Sequence, residues 1–583
     1  MSLEHIDSVL IANRGEIAVR VIRTARELGL RTIAVYSELD RDALHVELAD
    51  EAWAIGPAPA AESYLNIDRI LEVAKASRAA AIHPGYGFLA ENPEFARRVI
   101  ASDVIWVGPP AESIDAMGDK MVARETAASG GVPIVPGVTE SITDPKVIRD
   151  FAAENQYPVA VKAAHGGGGK GLRVVWDDEE VDEAFEGARR EAEAYFGNPT
   201  VYVEKYLDKP RHIEAQILFD SHGKGLFLGE RDCTVQRRHQ KLIEESPAPA
   251  FTDEQRATLA EAAVAAGHSC GYVNAGTVEF IMDQSGGFYF LEMNTRLQVE
   301  HTVTEMVTGL DLVRYQFIVA DGQPLDLDAV TFSGHAIELR INAEDPYRDF
   351  VPTPGQVVEW RVPSGPGVRM DSWITPSTRV SQYYDNLMGK LIVWGSDREH
   401  AIARGKRALN EMVVTGVHST IPAHLAVLDT PEFANAEHYT RWLEEEVTLP
   451  APLPDAPPQL AEDEELVRRD LTVEVGGRRF GVAFWAPEAK APSSGRTRRR
   501  PPKLEKRGGS AASDGVIVAP MQGTIVKVSV KAGDTVSEGQ AICVLEAMKM
   551  ENEVRAPSAG EITDLRIQAG DTVSPNQVIA VVR

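Results

Sequence analysis

Cysteine is scarce in this chain. Only three cysteines occur among its 583 residues, Cys233, Cys270 and Cys543, and they lie far apart in the sequence. Three scattered cysteines are too few for a disulfide framework or for a cysteine-based zinc site. A reducing cytoplasm is therefore the expected location.

Long apolar runs and an excess of basic residues are also missing. No apolar run approaches the ~18 residues that a membrane-spanning helix needs, and the first six residues do not form a signal peptide. The formal net charge is −27. Because nucleic acids and anionic membranes are polyanions, this charge argues against general binding to either. We expect no nucleic-acid or membrane partner, although a local basic site for phosphate groups is still allowed.

The length of the chain allows roughly three or four domains, and the hydrophobic fraction of 44% is sufficient for full cores. Residues 8–12 read as a buried strand, residues 15–28 have helical apolar spacing, and residues 32–36 read as a second strand. This βαβ unit predicts an α/β fold that opens with a parallel sheet. The loop 13–15 contains a single glycine and does not match a dinucleotide-binding fingerprint.

The C-terminal part contains an internal repeat. Residues 523–537 recur as residues 560–574, offset by about 37 positions. Both halves alternate apolar and polar residues and are interrupted by Gly-Asp, so they predict a small all-β barrel with approximate two-fold symmetry. Lys549, between Met548 and Met550, falls between the halves at a predicted hairpin tip. An exposed structural turn is the simpler interpretation of Met-Lys-Met alone, but the flanking repeat favours a site of covalent modification.

A glycine-rich segment occupies residues 165–171, between predicted strands at 159–163 and 172–175. Glycine lets backbone N–H groups approach phosphate oxygens without obstruction by side chains. A linker is the alternative, but the two strong flanking strands favour a hairpin that closes over a nucleotide.

Two predicted strands downstream carry carboxylates among apolar residues. Glu279 lies in residues 276–281, and Glu292 lies in residues 288–296 with Asn294 and Arg296 at alternate positions. Strand alternation predicts that the last three share one face. Two carboxylates and an amide oxygen are the hard ligands that magnesium uses beside phosphates. The alternative is two core glutamates that are satisfied independently, each of which would need its own partner.

The pattern changes along the chain predict five segments. We predict an N-terminal parallel α/β domain (1–116), a central domain (117–330) with a mobile lid at about 133–205, and a third α/β unit (331–446). A Pro-rich linker with a short β-hairpin at 471–485 follows (447–513), and then the barrel (514–583). The hairpin is too short for its own core.

These motifs together resemble a known enzyme class. Ala519–Gly523 with Glu546–Met550 is similar to the biotinyl domain of biotin-dependent carboxylases, whereas related lipoyl domains usually lack the Met pair. Residues 8–444 resemble biotin carboxylase of the ATP-grasp superfamily, through residues 82–88, the glycine segment, 236–241 and 292–301. The whole resembles the α subunit of a bacterial acyl-CoA carboxylase. The resemblance implies ATP, bicarbonate, Mg²⁺ or Mn²⁺, and biotin that a biotin protein ligase attaches to Lys549.

The resemblance also assigns roles to individual residues. The implied nucleotide-binding set is Lys120, Lys162, Gly166, Gly167, Gly168, Gly169, Glu204, Lys205, Leu207, His212, Gln236 and His239. The implied metal ligands are Glu279, Glu292 and Asn294. Lys241 and Arg296 would hold bicarbonate, Glu300 would deprotonate it, and Arg340 would stabilise the enolate of biotin in a pocket lined by Tyr86 and Gly87. His165 departs from the family, which often has a small residue there, and this concerns only the mobility of the glycine segment.

The sequence after Glu444 has no room for a carboxyltransferase, so we expect a hetero-oligomer that includes a separate carboxyltransferase β subunit. Acetyl-CoA or propionyl-CoA is the expected acceptor. The hairpin is the expected docking element, because it carries Phe480, Phe484 and Trp485 without a core of its own. The alternatives are a split pyruvate carboxylase, a biotinylated scaffold without catalysis, and a lipoylated carrier fused to an unrelated ATP-grasp ligase.

Overall fold

The computed structural model describes residues 3–138, 141–163, 172–196, 199–327, 330–376, 378–451, 466–475, 478–487, 516–519, 523–547, 550–573 and 577–583. The predicted glycine segment and Lys549 lie outside these residues. Within the described ranges, no helix has the length and apolar character to cross a membrane.

The N-terminal unit is built on the parallel sheet that the βαβ pattern predicts. Its five strands pair in the order β3-β2-β1-β4-β5. All four residues of β1 are buried, because apolar clusters cover both faces of the sheet, as is typical of parallel sheets. The elements are β1 (Ser8–Ile11), α1 (Gly15–Glu27), β2 (Arg31–Ser37), α2 (Leu44–Leu48), β3 (Glu51–Gly56), α3 (Ile67–Ser77), β4 (Ala81–His83), α4 (Pro93–Ile100), β5 (Ile105–Trp106) and α5 (Ala111–Gly118).

The central unit contains two antiparallel sheets. A small sheet of order β6-β9-β7-β8 lies within the predicted lid and has its own apolar cluster. The larger sheet holds the long strands that carry the predicted site. The elements are α6 (Lys120–Ser129), β6 (Gly137–Val138), α7 (Lys146–Asn155), β7 (Val159–Ala163), β8 (Leu172–Val175), α8 (Val181–Phe196), β9 (Val201–Lys205), β10 (Arg211–Phe219), β11 (Gly225–Arg237), β12 (Gln240–Ser246), α9 (Asp253–Ser269), β13 (Asn274–Met282), β14 (Phe288–Asn294), α10 (His301–Thr308) and α11 (Leu312–Ala320).

The third unit extends the larger sheet of the central unit. The elements are β15 (His335–Asn342), β16 (Glu344–Asp345), β17 (Val351–Pro352), β18 (Gly355–Gln356), β19 (Glu359–Arg361), β20 (Val368–Ser372), β21 (Arg379–Val380), β22 (Leu387–Gly395), α12 (Arg398–Glu411), β23 (Val413–Thr415), α13 (Ile421–Leu428), α14 (Pro431–Ala434) and α15 (Trp442–Glu445). One sheet of eight strands has the order β14-β13-β10-β11-β12-β15-β22-β20. The pairing of β12 with β15, which includes Glu244 opposite Glu338, joins the two units.

The predicted hairpin is present and is longer than its sequence pattern indicates. Its strands are β24 (Leu466–Val475) and β25 (Arg478–Pro487), which pair in antiparallel register with Leu466 opposite Pro487. The alternating pattern covers only residues 471–485, so the prediction omits the first five residues and the last two.

The C-terminal barrel has two four-stranded sheets, with orders β26-β33-β31-β28 and β30-β29-β27-β32. Each half of the repeat contributes one short strand to the other half: β32 pairs with β27, and β28 pairs with β31, in the same relative register. The predicted two-fold symmetry therefore extends to the strand pairing. The elements are β26 (Val516–Val518), β27 (Gly523–Val528), β28 (Thr535–Val536), β29 (Ala541–Ala547), β30 (Met550–Arg555), β31 (Gly560–Leu565), β32 (Thr572–Val573) and β33 (Val578–Val582).

The buried carboxyl group of Glu344 makes the stability of the third unit depend on pH. Its Oε1 accepts a hydrogen bond of 2.6 Å from Asn386 Nδ2, and burial raises the pKa of Glu344 from 4.5 to about 7. The folded state therefore holds the proton more tightly than the unfolded chain does. Ionisation of Glu344 therefore lowers the free energy of unfolding. This loss of stability is absent below about pH 4.5, grows as the pH rises, and is complete above about pH 7.

We expect the free energy of unfolding of Glu344→Gln, relative to that of the wild type, to increase by about 2 kcal/mol when the pH is raised from about 5 to about 8. Thermal unfolding of both proteins at both pH values measures this change. Glu359→Gln, at an exposed glutamate of the same unit, is the matched control. A stability difference between Glu344→Gln and the wild type that does not change with pH would contradict the assignment.

Candidate active site

A cavity of about 890 Å³ opens between the N-terminal, central and third units. Strand ends of the eight-stranded sheet, the loop after β4 and the start of α1 form its walls. Thirteen of the residues named from the sequence line it together: Tyr86, Gly87, Lys120, His212, Gln236, His239, Lys241, Glu279, Glu292, Asn294, Arg296, Glu300 and Arg340. Residues that are more than 200 positions apart in the sequence are thus brought to one site.

The register of the sheet places three carboxylates in one row. Glu214 on β10 lies opposite Glu279 on β13, and Glu279 lies opposite Glu292 on β14. Sequence reasoning does not name Glu214 as a site residue, although it follows His212 by two positions in an alternating strand. That alternation is the signal that could have identified it, because residues i and i+2 of a strand share a face.

The Lys241 ammonium group lies among these carboxylates. Its Nζ donates to Glu279 Oε1 at 2.9 Å, to Glu300 Oε1 at 2.7 Å, and also to Glu214. Burial alone lowers the pKa of Lys241, but the three carboxylates outweigh it and raise the pKa well above its usual value. Lys241 therefore stays charged at the centre of the site.

Glu279 is the most heavily contacted of the predicted metal ligands. Its Oε1 accepts from Asn294 Nδ2 at 2.7 Å, from Gln298 Nε2 at 2.6 Å and from Lys241, and its Oε2 lies 2.9 Å from His212 Nε2. Burial raises the pKa of Glu279, but Lys241 and His212 lower it well below its usual value. The carboxylate is therefore ionised and available to a cation.

Glu292 provides the second carboxylate of the predicted metal site. Its side chain is 41% exposed and lies 3.9 Å from Lys120 Nζ. Burial and the facing Glu279 both raise the pKa of Glu292, which indicates repulsion between the two carboxylates. A divalent cation between them would relieve this repulsion, and carboxylate oxygens suit Mg²⁺. The residues present therefore fit the predicted metal.

Asn294 is oriented differently from the other two predicted ligands. Its Nδ2 faces Glu279, and its Oδ1 accepts from Arg296 Nη2 at 3.0 Å. In this arrangement the amide presents nitrogen to the metal side, so metal ligation by Asn294 would require the amide to turn. The sequence pattern places the residue at the site but does not specify which amide atom faces Glu279.

Glu300, the predicted base, is held between two cations. Arg340 Nη2 donates to its Oε2 at 2.9 Å, while Lys241 donates to its Oε1. Burial raises the pKa of Glu300, but Lys241 and Arg340 lower it to about 2. A carboxylate with this pKa is a weak proton acceptor, so its basicity would rise when either cation turns toward a bound anion. Arg340 Nε also donates to the buried Glu244 at 2.5 Å.

Two further carboxylates that the sequence reasoning missed support this site. Glu91 accepts from Arg296 Nε at 2.9 Å and from the Thr295 backbone N–H at 3.1 Å, so it holds the predicted bicarbonate clamp. Glu16 accepts from the Tyr86 hydroxyl group and lies 3.1 Å from Lys390 Nζ. Neither glutamate stands in a pattern that marks it, because each acts through a contact distant in sequence.

His239 reaches the cavity from a tight turn with unusual backbone geometry. Arg237 pairs with Gln240, so Arg238 and His239 form the two-residue turn between β11 and β12. Their φ angles are 47° and 66°, a left-handed conformation that costs non-glycine residues about 1 kcal/mol each. The Arg238 backbone N–H donates to Glu444 Oε1 at 2.5 Å. A contact from the end of the third unit therefore supports the turn.

Of the predicted nucleotide-binding residues that the structure describes, Lys162, Glu204, Lys205 and Leu207 do not line the cavity. Lys162 forms an ion pair with Glu204, and Lys205 Nζ donates to the Gln156 carbonyl oxygen at 3.0 Å. Leu207, just after β9, is half-buried. These positions lie on or beside the small sheet, so they would reach a ligand in the cavity only with the lid in another position. Lys549 lies outside the described residues, and the strands on either side of it pair with Ala547 opposite Met550.

The two facing glutamates should govern affinity for magnesium. We expect Glu279→Gln and Glu292→Gln each to weaken Mg²⁺ binding in the presence of ADP by at least about tenfold, because each removes an anionic oxygen ligand. Isothermal calorimetry at a fixed ADP concentration measures this. Asn294→Ala should have a smaller effect, because the amide presents nitrogen to Glu279. Equal losses in all three variants would show that the amide turns to ligate the metal.

Comparison with known families covers most of the chain. "Biotin carboxylase, N-terminal domain" matches residues 5–114, and "Carbamoyl-phosphate synthase L chain, ATP binding domain" matches residues 119–328. "Biotin carboxylase C-terminal domain" matches residues 338–445, and "Biotin-requiring enzyme" matches residues 515–582. The four matches follow one another in the order that the sequence motifs indicate.

Known proteins with similar sequences include components of several carboxylases. The chain is 48% identical over 563 residues to the biotin-dependent acyl-coenzyme A carboxylase alpha3 subunit of Mycobacterium leprae, and the match covers 94% of each chain. It is 40% identical to the mitochondrial propionyl-CoA carboxylase alpha chain of Mus musculus, covering 94% of this chain and 88% of the relative. It is 49% identical to one of the pyruvate carboxylase subunits of Methanothermobacter thermautotrophicus, covering 75% of this chain and 89% of the relative.

The similarity extends to solved structures. The biotin carboxylase domain of the 2-oxoglutarate carboxylase of Hydrogenobacter thermophilus, in complex with MgADP, ADP and bicarbonate, is 44% identical with a TM-score of 0.68. That match covers 76% of this chain and 98% of the other. On these matches, the chain belongs to the biotin carboxylase family, as a carboxylase α-type subunit that also carries a biotinyl domain.

Proposed function

We propose that the chain is the α subunit of an acyl-CoA carboxylase. It uses ATP and bicarbonate to carboxylate biotin attached to Lys549. A separate carboxyltransferase β subunit then transfers the carboxyl group to acetyl-CoA or propionyl-CoA. The observation that carries the proposal is the Glu300 carboxylate held between Lys241 and Arg340, because it places a base and two cations at one point of the cavity.

Several cavity-lining residues of the central unit serve the phosphate end of the reaction. Lys120, His212, Gln236 and His239 line the cavity and would contact ATP phosphates, and Mg²⁺ held by Glu279 and Glu292 would neutralise their charge. Phosphoryl transfer depends mainly on positioning and charge neutralisation. Closure of the lid would bring Lys162, Glu204, Lys205 and Leu207 to the nucleotide, with Gly166–Gly169 over its phosphates.

The bicarbonate end of the reaction relies on Lys241, Arg296 and Glu300. The two cations would bind the anion and thereby weaken their present contacts to Glu300 and Glu91. The pKa of Glu300 would then rise, and its carboxylate would accept the proton of bicarbonate as a bicarbonate oxygen attacks the γ-phosphate of ATP, which would form carboxyphosphate and release ADP. Carboxyphosphate would break down to CO₂ and phosphate, and the phosphate would take the proton of the biotin ureido nitrogen that receives the CO₂. Arg340 would stabilise the negative charge on the ureido oxygen of biotin, in the pocket that Tyr86 and Gly87 line.

The acyl-CoA acceptor is supported by how far the relatives extend. The Mycobacterium leprae acyl-coenzyme A carboxylase protein matches 94% of this chain, a share that must extend into the biotinyl segment, whereas the pyruvate carboxylase relative matches 75%. A split pyruvate carboxylase is the second candidate. A non-catalytic scaffold is disfavoured because the proposed catalytic residues Lys241, Glu300 and Arg340 are all present and lie together at the cavity. We place the protein in a reducing cytoplasm, which suits its three free cysteines.

Purification from the native cell tests the proposal as a whole. Carboxylation of acetyl-CoA or propionyl-CoA by a co-purified carboxyltransferase would support it, and activity on pyruvate alone would favour the second candidate. Streptavidin should label the wild type and not Lys549→Arg. Absence of label on the wild type would favour a lipoylated carrier, because streptavidin does not retain lipoyl groups.

Loss of the central charge cluster should abolish most of the carboxylation. We expect Lys241→Ala and Glu300→Ala each to reduce bicarbonate-dependent ATP cleavage by on the order of 10²–10⁴-fold, because the first removes an anion-binding cation and the second removes the base. Steady-state assays of the purified chain measure this. Arg69→Ala serves as the control, because Arg69 is exposed and forms its ion pair with Glu72 on the surface. A rate within about twofold of the wild type would remove that residue from the catalytic set.

The β24–β25 hairpin is the proposed docking element for the carboxyltransferase. Replacing residues 466–487 by a Gly/Ser linker of equal length should abolish co-purification of the β subunit, because the hairpin would supply a strand edge or apolar side chains to it. The altered chain should still cleave ATP in the presence of bicarbonate, which controls for folding. Recovery of the complete complex from this variant would refute the docking role.

A further inference from the structure

Arg231 lies on β11 beneath the cavity, and its side chain is 0% exposed. It is not among the residues that line the cavity. Burial lowers the pKa of Arg231, but Glu214 and Glu300 outweigh this and raise it, so the guanidinium group is charged inside the protein. A buried charge is costly unless all its donors are satisfied, and its partners therefore indicate what it does.

The first partner is the Glu214 carboxylate. Arg231 Nε and Nη2 both donate to Glu214 Oε2, at 3.2 and 3.1 Å, so two charge-assisted hydrogen bonds hold this one carboxylate oxygen. The other oxygen, Oε1, accepts from Lys241. Arg231 therefore holds from below the carboxylate that receives the Lys241 ammonium group.

The second partner is the Gln298 amide. Gln298 Oε1 accepts from Arg231 Nη2 at 2.9 Å, and Gln298 Nε2 donates to Glu279 Oε1 at 2.6 Å. An arginine can only donate, so the amide oxygen must face Arg231 and the amide nitrogen must face Glu279. The guanidinium group, which only donates, and the Glu279 carboxylate, which only accepts, therefore set the orientation of this amide together.

The guanidinium group also donates to three further side chains, on β10, α10 and β13. Nη1 donates to Gln216 on β10 at 2.7 Å and to Thr304 on α10 at 3.1 Å, and Nη2 donates to Thr277 on β13 at 2.9 Å. Every N–H group of the guanidinium therefore has an acceptor, which fixes its position. A lysine at this position has the charge but lacks the planar fork that reaches all of these acceptors.

We propose that Arg231 is a positioning residue for the carboxylation reaction. It fixes Glu214 beneath Lys241 and fixes the amide of Gln298 against Glu279, and it touches neither nucleotide nor bicarbonate. This inference rests on the proposed function, because its consequence is felt through Lys241 and Glu279. Without Arg231, the Gln298 amide loses one of the two contacts that hold it, and Glu214 Oε2 loses both of its Arg231 donors.

Arg231→Lys in the full-length chain tests the role while keeping the charge. We expect kcat/KM for bicarbonate in ATP cleavage to fall by about tenfold or more, with a smaller change in KM for ATP, because Lys241 is the group displaced. The affinity for Mg²⁺ in the presence of ADP, measured by calorimetry, should also fall through Glu279. Arg398→Lys is the matched control. Arg398 Nε donates to the buried Glu245 Oε2 at 2.7 Å, and neither residue lines the cavity.

A double-mutant cycle with Gln298 separates positioning from general packing. If Arg231 acts through the amide, Arg231→Lys should cost clearly less in a Gln298→Ala background than in the wild type. The inference would be overturned if the fold-losses in kcat/KM of Arg231→Lys and Gln298→Ala simply multiplied in the double variant. It would also be overturned if Arg231→Lys lost no more activity than Arg398→Lys. Calorimetry needs no turnover, so it separates this inference from the proposed function. A wild type that binds Mg²⁺ with ADP but has no carboxylation activity would contradict the proposed function. The effect of Arg231→Lys on Mg²⁺ binding would still test the inference.

Discussion

The neutralisation of buried charge at Lys241 is the constraint on which the site depends. Its ammonium group lies among carboxylates from β10, β13 and the loop before α10. None of these groups is tolerable alone in the interior, because an unpaired buried charge costs several kcal/mol. The strands must therefore keep their register for each charge to have its partner. The same balance leaves a reactive arrangement, since a bound anion or cation can take over any one of these contacts.

The cations and carboxylates of the site form ion pairs with one another before any substrate binds. Glu300 contacts Lys241 and Arg340, and Arg296 contacts Glu91. Each cation needed for an anionic substrate already has a carboxylate partner, so binding exchanges one partner for another. Such an exchange avoids leaving a charge exposed to an apolar environment at any stage. It also keeps Glu300 a weak base, with a pKa of about 2, until the exchange has taken place.

The helices and strands could be predicted where apolar residues recur at regular spacing within a short segment of the sequence. The βαβ start, the strands that carry Glu279 and Glu292, and the repeat of the barrel follow from periodicity of two or 3.6 residues. The fold and the family also follow from the motifs. Alternation with His212 also marks Glu214, although its partners depend on strand order. The contacts of Glu91 and Glu16 could not be predicted in this way, since each depends on a residue distant in the chain. The orientation of the Asn294 amide is set by Arg296 and Glu279 together, and no linear pattern encodes it.

The eight-stranded sheet has a consequence for how this chain could be recombined with its relatives. Its β12 and β15 strands pair directly, although the family matches end at residue 328 and resume at residue 338. A chimera joined between those positions would have to reproduce a backbone ladder in which Glu244 stands opposite Glu338, beneath Arg340. The central and third units would therefore have to be exchanged together. Among the described residues the barrel strands pair only with one another, so its exchange would have to preserve only packing, such as that of Val351 of the third unit against its core.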